Sequence, residues 1–167
     1  HSLRELIIGS KSFSDYTICD IQRVDALEVI EIGKAFEISY NFYYSSFELK
    51  NLPSITNITI GFSAFHKSCH VSFEDLPLLL AIQLDYGVFS FGGISCPNSL
   101  VMRNLPSLIT LYNRVINGQV VNTFYYPERV ILENIPSLTT VVLSDRAFSC
   151  KKDIRVHNVS EALLQYL

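Results

Sequence analysis

The chain has 167 residues, 49% of them apolar and only 17% charged, with a formal net charge of −3. That length and apolar content suit one packed domain rather than a disordered chain. The weak negative charge and the lack of any basic cluster exclude a nucleic-acid footprint. The longest apolar run, about Leu76 to Ile82, falls far short of the roughly 18–20 residues that cross a bilayer, so no membrane span is expected.

His1 to Gly9 reads as the second half of a repeat unit. Cys19 to Gly33 is a weak copy of the whole unit, and Phe47 to Gly61 is a full one. Val71 to Asp85, Leu100 to Asn113 and Val130 to Ser144 repeat it, and Ile154 to Ser160 begins another. A chain that starts at His1 in mid-repeat, with no signal-peptide pattern, is expected to be processed or an excerpt. Self-similarity at a spacing of one supersecondary unit marks a stacked array.

The expected architecture is therefore mainly β: a solenoid of parallel strands, six coils plus a C-terminal stub. It forms a single domain over 1–167, with repeats near 1–24, 25–52, 53–76, 77–105, 106–135 and 136–159 and the stub at 160–167.

Within each unit one column is Leu3, Leu27, Ile55, Leu79, Leu108 and Leu138. Three residues on comes Leu6, Ile30, Ile58, Ile82, Leu111 and Val141. Two further comes Ile8, Ile32, Ile60, Leu84, Asn113 and Leu143. This alternation is a strand signal of period 2. A Phe is expected to close the core five residues later, at Phe13, Phe65, Phe89 and Phe148. Phe36 comes one residue early, and Gly118 occupies the place in the fifth copy. That copy also departs at Asn113 and Ile116, where a bent strand or shifted register is expected.

A second short strand precedes each Pro, with inward pairs Cys19/Ile21, Phe47/Leu49, Val71/Phe73, Leu100/Met102, Val130/Leu132 and Ile154/Val156. Pro53, Pro77, Pro106 and Pro136 suit corners, since Pro has no N–H and fixes φ. The polar column before them, Arg23, Asn51, Asp75, Asn104, Asn134 and Asn158, is read as an internal turn ladder. Loop length varies only on one edge. Residues 37–46, 90–99 and 119–129 are long there, whereas 14–18, 66–70 and 149–153 are short.

The L-x-x-L-x-L pattern with its closing Phe resembles the leucine-rich repeat. The F-x-L-x-N-L-P-S-L segment and the Ala-Phe pairs (Ala35-Phe36, Ala64-Phe65, Ala147-Phe148) are similar to the BspA-like branch of that superfamily, found in bacterial and protist surface proteins. The likeness covers nearly the whole chain. It implies an interaction scaffold whose concave sheet presents the column Ile7, Glu31, Thr59, Gln83, Tyr112 and Val142. Of these, Glu31, Thr59, Gln83 and Tyr112 are candidate partner contacts. It also implies an extracellular or cell-surface setting, with a cytoplasmic one left open.

No motif carries chemistry. His66, Cys69 and His70 share a loop, but no second cluster completes a metal site or a Cys–His nucleophile. No catalytic residue, cofactor or metal is expected. Two Phe-Tyr-Tyr runs in the long loops do stand out. Tyr43, Tyr44, Tyr125 and Tyr126 are either partner contacts or rings that fold over the solenoid edge and cover its own core. Asn57 and Asn158 open N-x-S/T acceptors, meaningful only in a secreted chain. Cys69 and Cys96 lie about one repeat apart, and neighbouring coils are roughly 4.8 Å apart. A disulfide between them is thus one reading, separate thiols the other.

The leading expectation is a non-enzymatic scaffold for a protein or glycan partner. The alternative is a structural segment of a longer extracellular fibre, stacking head to tail through uncapped end coils.

Overall fold

The computed structural model describes residues 2–34, 36–92, 97–116, 119–120 and 123–167. It is a solenoid of parallel strands. The first sheet contains β1 (Glu5–Ile8), β3 (Val29–Ile32), β5 (Asn57–Ile60), β7 (Ala81–Leu84), β9 (Thr110–Asn113) and β13 (Thr140–Val142). The second contains β2 (Ile18–Gln22), β4 (Ser46–Lys50), β6 (His70–Glu74), β8 (Ser99–Arg103), β12 (Arg129–Ile135) and β14 (Asp153–Val159). The chain alternates between the sheets and makes about 5 turns. A short antiparallel ribbon, β10 (Val115–Ile116) with β11 (Gln119–Val120), projects from the fifth coil. A single helical turn, α1 (Glu161–Leu164), follows β14.

The pairing is in register throughout. Leu6, Ile30, Ile58, Ile82, Leu111 and Val141 face one another rung by rung. From Ile30 to Leu111 every member of that row is fully buried. The fifth rung is neither bent nor shifted: β9 pairs with β7 from Ala81↔Thr110 to Leu84↔Asn113. The inward Asn113 donates its amide N–H to Thr123 Oγ1 at 2.6 Å, which offsets part of the cost of burying a polar group, while its Oδ1 is buried without a hydrogen bond among the described residues. Gly118 lies outside the described residues.

Two corners hold the coils, and both use left-handed backbone. At the Pro corner, Arg23, Asn51, Asp75, Asn104, Asn134 and Asn158 all have φ between 52° and 57°. Short polar side chains tolerate that region. Their amides also link coil to coil: Asn104 donates to Asp75 Oδ1 (2.6 Å), Asn134 to Asn104 Oδ1 (2.9 Å) and Asn158 to Asn134 Oδ1 (3.4 Å). At the opposite corner the Phe that closes each coil has φ between 48° and 59°: Phe13, Phe42, Phe65, Phe89, Phe124 and Phe148. Their rings form a column, with centroids 5.2 Å apart for Phe13–Phe42 and for Phe42–Phe65, 6.0 Å for Phe89–Phe124 and 5.9 Å for Phe124–Phe148. A bulky residue pays sterically for positive φ. Burial of a ring in a continuous stack is what offsets it here.

This column corrects the expected one. Phe36 does not close the core; it is 84% exposed, and Phe42 takes the second place. Phe124 takes the fifth. The insertions of coils two and five therefore precede the closing Phe instead of following it. Phe13 is also 47% exposed, because its ring stacks on one side only. In the second sheet, Phe47, Leu49, Val71, Phe73, Leu100, Met102, Val130 and Leu132 are fully buried as expected. Ile154 and Val156 are not, at 40% and 42% exposure, since β14 pairs with β12 alone.

The stub also differs from expectation. Leu163 of α1 is fully buried, and Tyr166 and Leu167 pack against the core. So the last rung of the first sheet is covered by the chain's own residues.

Candidate interaction surfaces

The outer face of the first sheet carries Ile7, Glu31, Thr59, Gln83, Tyr112 and Val142 in one in-register row. Gln83 is exposed, while Glu31, Thr59 and Tyr112 are half-buried. Part of the covering comes from the chain itself. The segment after β3 runs across the strand ends as a strap. Gly33 turns into it with φ of +76°, and a Cβ there would sit 2.5 Å from Ser39 Oγ. Gly61 lets the strap pass, since a Cβ would lie 2.7 Å from both the N and the O of Lys34. Ser39 then anchors the strap: its hydroxyl donates to Glu37 O (3.0 Å) and accepts from Lys34 N (3.1 Å).

The strap ends on a charged clamp that spans two further coils. The Phe36 amide donates to Asp85 Oδ2 at 3.2 Å. The Tyr86 amide donates to the other oxygen at 2.7 Å. Arg114 Nη1 approaches Asp85 Oδ2 at 3.1 Å, and its guanidinium carbon lies 3.8 Å from the centroid of the Phe36 ring. Asp85 is only 3% exposed, so a partner for its charge is required. Thr59, Gln83, Tyr112, Asp85 and Arg114 line a cavity of about 30 Å³ beside the strap, room for a water rather than for a ligand. Phe36, Asp85 and Arg114 went unnoticed as a group in the sequence. Asp85 and Arg114 stand two residues beyond Gln83 and Tyr112, as Gly33 and Gly61 stand two beyond Glu31 and Thr59.

The tyrosines lie on the opposite corner, directly after the Phe column. Because the rings stack in register, the residues behind them form rows: Ser14-Asp15, Tyr43-Tyr44, His66-Lys67, Ser90-Phe91, Tyr125-Tyr126 and Ser149-Cys150. Tyr43 is half-buried and stacks on His66 with centroids 5.4 Å apart, and Tyr44 is 57% exposed. Lys67 Nζ sits 5.8 Å from the Tyr43 centroid and 5.5 Å from that of Tyr44. Burial raises the Tyr43 pKa above its ordinary value, with Tyr44 and Tyr40 adding to it. In the fifth coil Tyr125 and Tyr126 pack with centroids 4.0 Å apart, and Tyr126 is 41% exposed. A hydrogen bond with Tyr125 raises the Tyr126 pKa. The two tyrosine pairs are three coils apart, about 14 Å at the usual strand spacing. They form two patches on one edge rather than a single site. Phe42 and Phe124 are the buried rings, Tyr43 and Tyr125 are half-buried, and Tyr44 and Tyr126 are the exposed members of the pairs.

His66 Nδ1 is 2.7 Å from Gly87 O, and His70 Nδ1 is 2.7 Å from Ser99 Oγ. The two rings thus bond separate segments of the next coil. Among the described residues no group of His, Cys, Asp or Glu could hold a metal ion. Cys69 is disulfide-bonded, and Cys96 lies outside the described residues. Asn57 is exposed on β5, with its amide donating to Thr56 Oγ1 at 2.9 Å. The Asn158 amide is engaged in the turn ladder.

No family model matches the chain, and no curated protein or solved structure matches it either. No helix among the described residues is long and apolar enough to cross a membrane.

Proposed function

We propose that this solenoid is a non-enzymatic interaction module that holds a protein or glycan partner, chiefly through its tyrosine edge. The observation that carries this reading is the repeated construction at that edge. Two separate insertions each end in a buried ring, Phe42 or Phe124, and each then presents a tyrosine pair with its outer member 57% or 41% exposed. A Tyr held by a buried neighbour offers apolar area and a hydroxyl with little ordering cost left for binding. Kinship with the BspA-like leucine-rich repeat proteins and a cell-surface setting belong to the same proposal, and so does Asn57 as a glycan acceptor. The outer row of Glu31, Thr59, Gln83 and Tyr112 is a secondary face, narrowed by the strap.

The test replaces Tyr43 and Tyr125 by Ala and compares partner capture and melting temperature with the parent chain. Weakened capture with a nearly unchanged melting temperature supports the reading. Unchanged capture, or a large loss of stability, overturns it.

A second reading, a segment that stacks end to end, is favoured by the open rungs. Inward Leu6 and Ile8 of β1 are only half-buried, and β14 leaves inward Ile154 and Val156 40% and 42% exposed. Light scattering across a concentration series tests it, and a monomer at every concentration rules it out.

A further inference from the structure

The corner rows place an acid and a base on either side of one tyrosine pair. Along the row, Asp15 precedes Tyr43-Tyr44 by one coil and Lys67 follows by one coil. On the Lys67 side, the ammonium already lies over the rings of Tyr43 and Tyr44. On the Asp15 side the same tyrosines, together with Tyr40 and Ser14, line an open cleft of about 290 Å³ that Lys67 does not reach. Three rings shape it. Tyr40 and Tyr43 meet at 82° with centroids 5.5 Å apart, and Tyr43 and Tyr44 meet at 78° with centroids 4.9 Å apart. Asp15, also in the lining, is exposed, and its carboxylate accepts only a 3.4 Å hydrogen bond from Ser14 among the described residues.

We propose that the cleft formed by Asp15, Tyr40, Tyr43 and Tyr44 binds the alkylammonium side chain of a lysine on a partner polypeptide, free or N-methylated. The proposal rests on the interaction-module reading and deepens it. Rings near right angles to one another close around a compact group, whereas a sugar ring needs one broad, open face. The faces of aromatic rings attract cations, and Lys67 shows these two rings doing so within the chain. The carboxylate supplies the opposite charge on the side that Lys67 leaves vacant. The volume sits at the small end of ligand pockets, which are roughly 300–1,000 Å³, the scale of one side chain rather than a drug-sized molecule.

The test titrates the full chain with acetyl-trimethyllysine amide and with acetyl-lysine amide, followed by amide chemical shifts. A neutral isostere with carbon in place of the ammonium nitrogen serves as control, and a trimer of N-acetylglucosamine is a further arm. Saturable shifts confined to residues 14, 15, 40, 43 and 44 are expected with the ammonium probes. The isostere should bind about tenfold more weakly, and Asp15→Asn and Tyr44→Ala should each weaken binding about three- to tenfold. Both replaced side chains are exposed, so folding is not at issue. Equal binding of the isostere, or no shift with either ammonium probe, overturns the proposal. Shifts at the same residues with the saccharide alone also overturn it, while leaving the tyrosine edge as an interaction surface. Partner capture insensitive to Tyr43 and Tyr125 replacement would instead overturn that wider reading, whatever the probes do.

Discussion

The hydroxyl of Tyr166 stands where the next strand's backbone would, donating to the Val141 carbonyl at 3.1 Å and accepting from the Leu143 amide at 3.4 Å. One phenol thus satisfies two groups on the free edge of β13, and the buried Leu163 holds the helical turn against the same rung. Tyr166→Phe keeps the ring and removes both bonds. A partly buried donor and acceptor then lose their partner, which costs about 1–2 kcal/mol. Urea unfolding checks the loss, and hydrogen exchange should show it concentrated in β13. Unchanged protection there would mean the hydroxyl is ornamental.

Gly61→Ala should break the strap. The added methyl meets Lys34 backbone at 2.7 Å on two atoms, and backbone cannot rotate away as a side chain can. We expect a loss of about 1–3 kcal/mol and loss of protection at the Phe36 amide. A fully stable variant with that amide still protected would place the strap elsewhere.

Phe42→Ala and Phe36→Ala separate the two candidates for the second ring. Phe42 is stacked between Phe13 and Phe65 and is 7% exposed, so its truncation should cost about 3 kcal/mol. Phe36 is 84% exposed and lies against the Arg114 guanidinium, so its truncation should cost under about 1 kcal/mol. Denaturant midpoints decide the order, and the reverse order would restore the column expected from spacing.

That pair also shows where the sequence could be read and where it could not. The inward rows from Ile30 to Val141 were visible because β-strand alternation repeats without gaps inside each unit. The Asn corner was visible because its residue type states its backbone conformation. The ring column was misread in coils two and five because Ala35-Phe36 imitates Ala64-Phe65, and because spacing alone does not say on which side of a ring an insertion falls. The Phe36–Asp85 contact joins residues 49 apart, and no local period encodes such a crossing. The role of Tyr166 was hidden because a hydroxyl that imitates a strand has no pattern at all.

Cys19 should make the chain alkali-sensitive. Burial, with Asp20 adding, pushes its thiol from 9.0 up to about 12. The folded state therefore holds the proton after the unfolded chain has released it. Stability from this group is complete below pH 9 and declines as pH rises toward 12, by up to about 1.4 kcal/mol per pH unit. Denaturant midpoints at pH 8 and pH 10.5 should diverge more for the parent than for Cys19→Ala. Equal divergence would assign the sensitivity to other groups. Native-state alkylation at neutral pH should spare Cys19 and mark the less buried Cys150.

From Ile8, Ile60, Leu84 and Leu143 the closing ring is five residues away, yet from Ile32 it is ten and from Asn113 eleven. In every case the ring still meets its neighbours in the column, at centroid distances of 5.2 to 6.0 Å. The corner therefore works like a bookbinding: pages of different width can be sewn in, because only the spine is held to measure. A guest segment spliced into the short corners before Phe65, Phe89 or Phe148 should hang clear of the frame, and the tyrosine edge is where two such pages already open.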